Sequence, residues 1–147
     1  MVITLPQEYG YVLAAATSTF FVNTFHSFLT SSHRKAANVK YPTTYVSTEQ
    51  AEKDPKAYAF NCAQRAHANF TESLTPFLGA LLVSGLKYPV YAAALGAVWS
   101  ISRIVYALGY TKNGPQGRTA GALPASLSDL ALKLMAAYTS LGLALGW

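Results

Sequence analysis

The chain has 147 residues, a mass of 15.8 kDa and a formal net charge of +5. Hydrophobic residues make up 52% and charged residues only 12%, where a soluble domain carries roughly 25%. This length and composition exclude a disordered or fibrous chain, argue against a soluble globule and point to one integral membrane domain covering residues 1–147.

Tyr9–Leu29 is the first apolar stretch and contains no charge. The first basic residue is Arg34, so the positive region that opens a signal peptide is missing. Helix one, at about residues 7–33, is therefore expected to be its own insertion signal. A polar segment follows at 34–59, with Arg34, Lys35, Lys40, Lys53 and Lys56 diluted by Glu49, Glu52 and Asp54. Leu74–Leu86 is apolar but short, and reaches the ~20 residues of a membrane span only if polar residues from Phe60 are included. Helix two is thus placed at 60–86, kinked at Pro76. Lys87-Tyr88 is a short link, so helix three, at 89–111, folds back as an antiparallel hairpin. Asn113–Gly117 reads as a turn within a loop at 112–123, and helix four runs over 124–147. Pro89 and Pro124 suit helix first turns, where a missing N–H costs nothing.

The fold class expected is all-α, an integral membrane four-helix bundle. The two loops sharing one side hold seven Lys and Arg, and the other side holds only Lys87. The positive-inside rule puts both loops in the cytosol and both termini in the lumen or outside. Topology explains this charge better than nucleic-acid binding, and no nucleic acid is expected.

Ionisable groups inside a membrane are expensive and point to function. Asn61, Arg65, Asn69 and Glu72 share one face of helix two, and His67 points the opposite way. Trp99, Arg103, Tyr106 and Tyr110 share one face of helix three. A hairpin turning at 87–88 sets Glu72 level with Arg103, Asn69 with Tyr106, and Arg65 with Tyr110. With Arg34, Lys35 and Arg118 at neighbouring helix ends, this makes a cationic, tyrosine-lined cleft suited to a small anionic ligand.

Blander readings account for other residues. Glu72 and Arg103 could be a purely structural pair. Asp129 and Lys133 are spaced i, i+4 and read as a self-neutralising pair. Asn69-Phe70-Thr71 is a glycosylation sequon that falls inside a helix. Cys62, the single cysteine, reads as a packed thiol and permits no internal disulfide. His26 and His33 read as interfacial, Tyr9, Tyr11, Tyr88 and Trp147 as interface anchors, and no metal site is expected.

The run Phe60-Asn61-Cys62-Ala63-Gln64-Arg65-Ala66-His67-Ala68-Asn69, continuing to Glu72, resembles a helix-two signature. It is that of the membrane-associated proteins of eicosanoid and glutathione metabolism (MAPEG). Trp99, Arg103, Tyr106 and Gly109-Tyr110 resemble the family's helix-three signature. Tyr41-Pro42 and Tyr45 resemble the first loop of its type-3 microsomal glutathione transferases, relatives of leukotriene-C4 synthase. The resemblance implies a homotrimer with glutathione as co-substrate at each subunit interface. It implies glutathione contacts at Arg34, Arg65, His67, Asn69, Glu72, Arg103, Tyr106 and Tyr110. His67 stands where some relatives have glutamine, and Ser73 where leukotriene-C4 synthase has tyrosine. Arg118, eight residues after Tyr110, matches the arginine that activates the thiol, with Lys112 as the alternative. The implied function is conjugation of glutathione to lipophilic electrophiles, or reduction of lipid hydroperoxides, in the endoplasmic reticulum membrane with its site facing the cytosol. A non-enzymatic lipid-binding scaffold on the same fold is the alternative, but a scaffold has no need of the full cationic set. A channel would need a polar path through both membrane halves.

Overall fold

A computed structural model describes residues 4–146. Among them the regular structure is all helical: α1 (Tyr9–Ala36), α2 (Thr48–Lys53), α3 (Pro55–Gly85), α4 (Pro89–Gly117) and α5 (Thr119–Leu145). Four of these are long and α2 is a single short helix. α1 and α4 are each long and apolar enough to cross a membrane.

α3 is the central element and packs against α1, α4 and α5, while α1 also meets α4 and α4 meets α5. Phe70, Phe77, Leu81, Trp99 and Leu132 fill the main core, with Trp99 stacked on Phe77 at 3.8 Å between ring centroids. The outer faces are apolar too: Phe20, Phe21 and Phe28 of α1, Ile101 and Leu108 of α4, and Leu130, Leu134 and Leu141 of α5 are exposed. Apolar surface on this scale is paired with lipid or protein, not water. Together with the two candidate spans it associates the chain with a membrane.

Helix boundaries differ from the sequence expectation in three places, each with a local cause. α3 starts at Pro55 rather than Phe60, because the Asp54 carboxylate caps the Lys56 N–H at 2.9 Å and Pro55 occupies the first turn. The segment expected to be loop at 34–59 contains α2, begun where the Ser47 hydroxyl accepts from the Gln50 N–H at 3.2 Å. The expected loop at 112–123 is almost absent: α4 continues to Gly117 and α5 begins at Thr119. The break there is one residue, Gly114, with φ 67° and ψ −158°. Pro124 consequently lies inside α5 instead of opening it. α5 ends on Gly146 in the left-handed conformation, and Trp147 lies outside the described residues.

His26 is a core residue, not an interfacial one. It is 1% exposed, stacks on Phe70 at 4.8 Å and on His67 at 5.7 Å, and neither ring nitrogen has a hydrogen-bond partner. Tyr9 is also buried, and its hydroxyl donates to the Leu82 carbonyl at 3.1 Å, tying the start of α1 to the end of α3.

Candidate functional site

Tyr58, Arg65 and Glu72 recur every seven residues of α3, close to two helical turns, and so form one exposed stripe. Arg65 grips Glu72 through two bonds, Nη1 to Oε1 at 2.8 Å and Nη2 to Oε2 at 3.3 Å. Both side chains stay accessible, 45% for Arg65 and 57% for Glu72.

Glu72 therefore pairs with Arg65, and the structural pair with Arg103 that the sequence allowed does not form within the chain. Arg103 Nη2 donates instead to Asn69 Oδ1 at 2.8 Å. The hairpin turn itself is tight: the N–H groups of Leu86, Lys87 and Tyr88 bond back to the carbonyls of Val83 and Ser84. Phe77 faces Trp99, close to the level that a turn at 87–88 sets. Cys62 and Ala66 pack against Tyr106, Ala107 and Tyr110.

The Arg103 guanidinium is 5% exposed and lies over the rings of Tyr106 at 4.5 Å and Trp99 at 5.7 Å. Tyr106 and Tyr110 meet edge to face at 5.8 Å, and the Arg118 guanidinium sits over Tyr110 at 5.4 Å. A ladder of cations and rings thus runs Arg118, Tyr110, Tyr106, Arg103, Trp99 along the α4 side of the bundle.

Arg118 reaches Tyr110 because the chain doubles back between them. Gly109 and Gly117 lie backbone to backbone, and a Cβ on either would come within 2.1 Å of the other's carbonyl oxygen. Only glycine permits that approach. Gly114 supplies the positive φ of the reversal and packs on the Tyr58 hydroxyl.

Beside this ladder lies a pocket of about 240 Å³. Arg65 and Tyr110 line it, as expected, together with Tyr45, Tyr58, Asn61, Cys62 and Pro115. Tyr58 was absent from the sequence expectation because helix two was started at Phe60. The Asp54-Pro55 cap signal would have extended that helix and put Tyr58 on the Arg65 face. Cys62 is buried, packed beside the tyrosines.

Two of the expected residues lie elsewhere in the chain. His67 faces α1, its Nε2 3.1 Å from Asn23 Oδ1, on the side away from Arg65 and Glu72. Arg34 is 9% exposed and its Nη1 donates to the Thr43 carbonyl at 2.8 Å. Lys112 is exposed near the end of α4. Asn69 of the sequon is engaged with Arg103 mid-helix. Asp129 bonds Lys133 at 2.5 Å through Oδ2, while its Oδ1 is buried without a partner. Among the described residues, no three His, Cys, Asp or Glu side chains cluster to hold a metal ion.

The arrangement offers a cation and an anion side by side on α3, hydroxyls around them, and a second cation over Tyr110. Such a surface suits a small zwitterionic or polyanionic ligand. A comparison with known families agrees in kind: the model of the MAPEG family matches residues 12–138.

Proposed function

Because the chain belongs to the MAPEG family, which includes glutathione transferases and peroxidases, we propose that it is a membrane glutathione transferase of the type-3 microsomal kind. The observation that carries this reading is the Arg65–Glu72 pair, accessible on one face of a helix otherwise built for a bundle. Glutathione ends in an ammonium and carboxylates. Its α-carboxylate and α-ammonium can replace each half of the pair without leaving a charge unmatched. Since each half of the pair finds its partner on the ligand, opening it strands no charge.

Asn69, Arg103, Tyr106 and Tyr110 extend the binding surface along the ladder. Arg118 stabilises the thiolate. A free cysteine thiol has a pKa of about 8.5, and the thiolate is the nucleophile. Lowering that pKa by two units requires about 2.7 kcal/mol of preference for the thiolate, within reach of one nearby guanidinium. The thiolate then attacks a lipophilic electrophile, forming the thioether as the electrophile takes up a proton or releases its leaving group, or a lipid hydroperoxide is reduced to its alcohol and water while two glutathiones are oxidised to the disulfide. Lys112 is the second candidate for the thiolate's partner. The four long helices cross the endoplasmic reticulum membrane, with the Arg118 end in the cytosol and the termini in the lumen. Members of the family generally form trimers, and a homotrimer would cover the polar stripe of α3 at a subunit interface.

Titrating the purified protein with glutathione at pH 7, and following thiolate absorbance in the ultraviolet, tests this. A saturable signal that disappears in Arg118→Ala is expected. A signal retained in that variant would move the role to Lys112. No uptake of glutathione would end the reading.

A further inference from the structure

The segment 38–47 between α1 and α2 is fastened at two points on either side of Tyr45. On one side the Arg34 guanidinium lies between the rings of Tyr41 at 4.3 Å and Phe60 at 4.6 Å, and its Nη1 holds the Thr43 carbonyl at 2.8 Å. On the other side the Asn61 amide takes both backbone groups of Val46, accepting from its N–H at 2.9 Å and donating to its C=O at 3.0 Å. Phe60 and Val46 are buried in a small core of their own. Tyr45 between these fastenings is 43% exposed and lines the pocket that holds Arg65, Tyr58 and Tyr110.

A connecting segment needs no such hold merely to join two helices. Burying Arg34 and committing both polar groups of Asn61 fixes one residue's direction, and that residue is a phenol beside an arginine. We propose that Tyr45 is a ligand-contacting residue of this pocket, and that Arg34 and Asn61 are positioning residues that hold it there. Its hydroxyl donates to the carboxylate drawn in by Arg65, a charge-assisted bond of the stronger kind. Arg34 then serves the site through the backbone of 43–46, not by touching the ligand. The inference rests on the glutathione reading above and adds one contact and two supports to it.

The test uses the full-length protein in detergent, with glutathione affinity by calorimetry and amide hydrogen exchange across 38–47. Tyr45→Phe is expected to weaken glutathione about tenfold, the loss of one hydrogen bond to a charged group, with exchange unchanged. Asn61→Ala is expected to give a similar loss together with faster exchange at Val46. Combining the two substitutions should weaken binding no further than Tyr45→Phe alone, because the support has nothing left to position. Arg34→Lys keeps the charge but loses the planar stack, and should behave as Asn61→Ala does. Wild-type affinity in Tyr45→Phe would overturn the inference, as would faster exchange in Asn61→Ala without any loss of affinity. If Asn61→Ala does not fold, Tyr45→Phe and Arg34→Lys decide the matter. A wild-type protein that binds no glutathione defeats the functional reading and this inference with it, whereas wild-type binding with an indifferent Tyr45→Phe defeats this inference alone.

Discussion

His26 illustrates the cost of polarity in this core. Its imidazole is 1% exposed and stacks on Phe70 and on His67, with both nitrogens unpartnered. An unmet buried hydrogen-bonding group typically costs about 1–3 kcal/mol. His26→Phe keeps the stack and removes the unmet groups, so the unfolding temperature in detergent should hold or rise. A clear fall would show that the imidazole has a polar partner. Glu72 is the opposite case, an accessible group whose value lies in ligand binding. Glu72→Gln leaves Arg65 without its ion partner and should weaken glutathione about tenfold, measured by calorimetry in detergent.

At the scale of elements, the α4–α5 reversal sets the position of Arg118. Gly117→Ala places a methyl against the Gly109 carbonyl, where the neighbouring atom is backbone and cannot swing aside. The expected result is loss of the thiolate signal at saturating glutathione, with helical content by circular dichroism largely retained. Full thiolate signal in that variant would mean that Arg118 needs no such turn. The same elements show what a linear reading could and could not supply. The polar face of α3 was legible because one helix carries Asn61, Arg65, Asn69 and Glu72 at helical spacing. The level of α3 against α4 was legible too, since Phe77 meets Trp99 near the expected depth, but which side chains pair was not: Arg103 reaches Asn69, and Arg65 takes Glu72. Proline was ambiguous as well: Pro89 opens a helix and Pro124 sits inside one, and local sequence around the two is similarly apolar. His67 and Arg34 carried family expectations, but nothing in the resemblance says that Asn23 faces the one and the Thr43 carbonyl holds the other.

For the whole molecule, the accessible ion pair on α3 and the apolar exterior set opposing demands. Arg65 and Glu72 need water, ligand or protein beside them, while α1, α4 and α5 present Phe, Ile and Leu outward. A second copy of the chain against α3 meets both demands. Members of the family generally form trimers, so chemical crosslinking in detergent is expected to stop at three subunits, and glutathione should raise the unfolding temperature of the assembled form. A monomer with full glutathione affinity would show that one chain suffices. That result would relocate the cover of the α3 stripe to lipid headgroups or water.

The stack of Trp99 on Phe77 has a practical consequence. The chain has two tryptophans, and Trp99, 1% exposed, lies 5.7 Å from the guanidinium carbon of Arg103. An indole so enclosed emits at short wavelength, and its brightness follows the charge beside it. In a Trp147→Phe background, emission from Trp99 alone becomes a built-in optical gauge of whatever settles against Arg103. Occupancy could then be followed in real time, in vesicles, without a label.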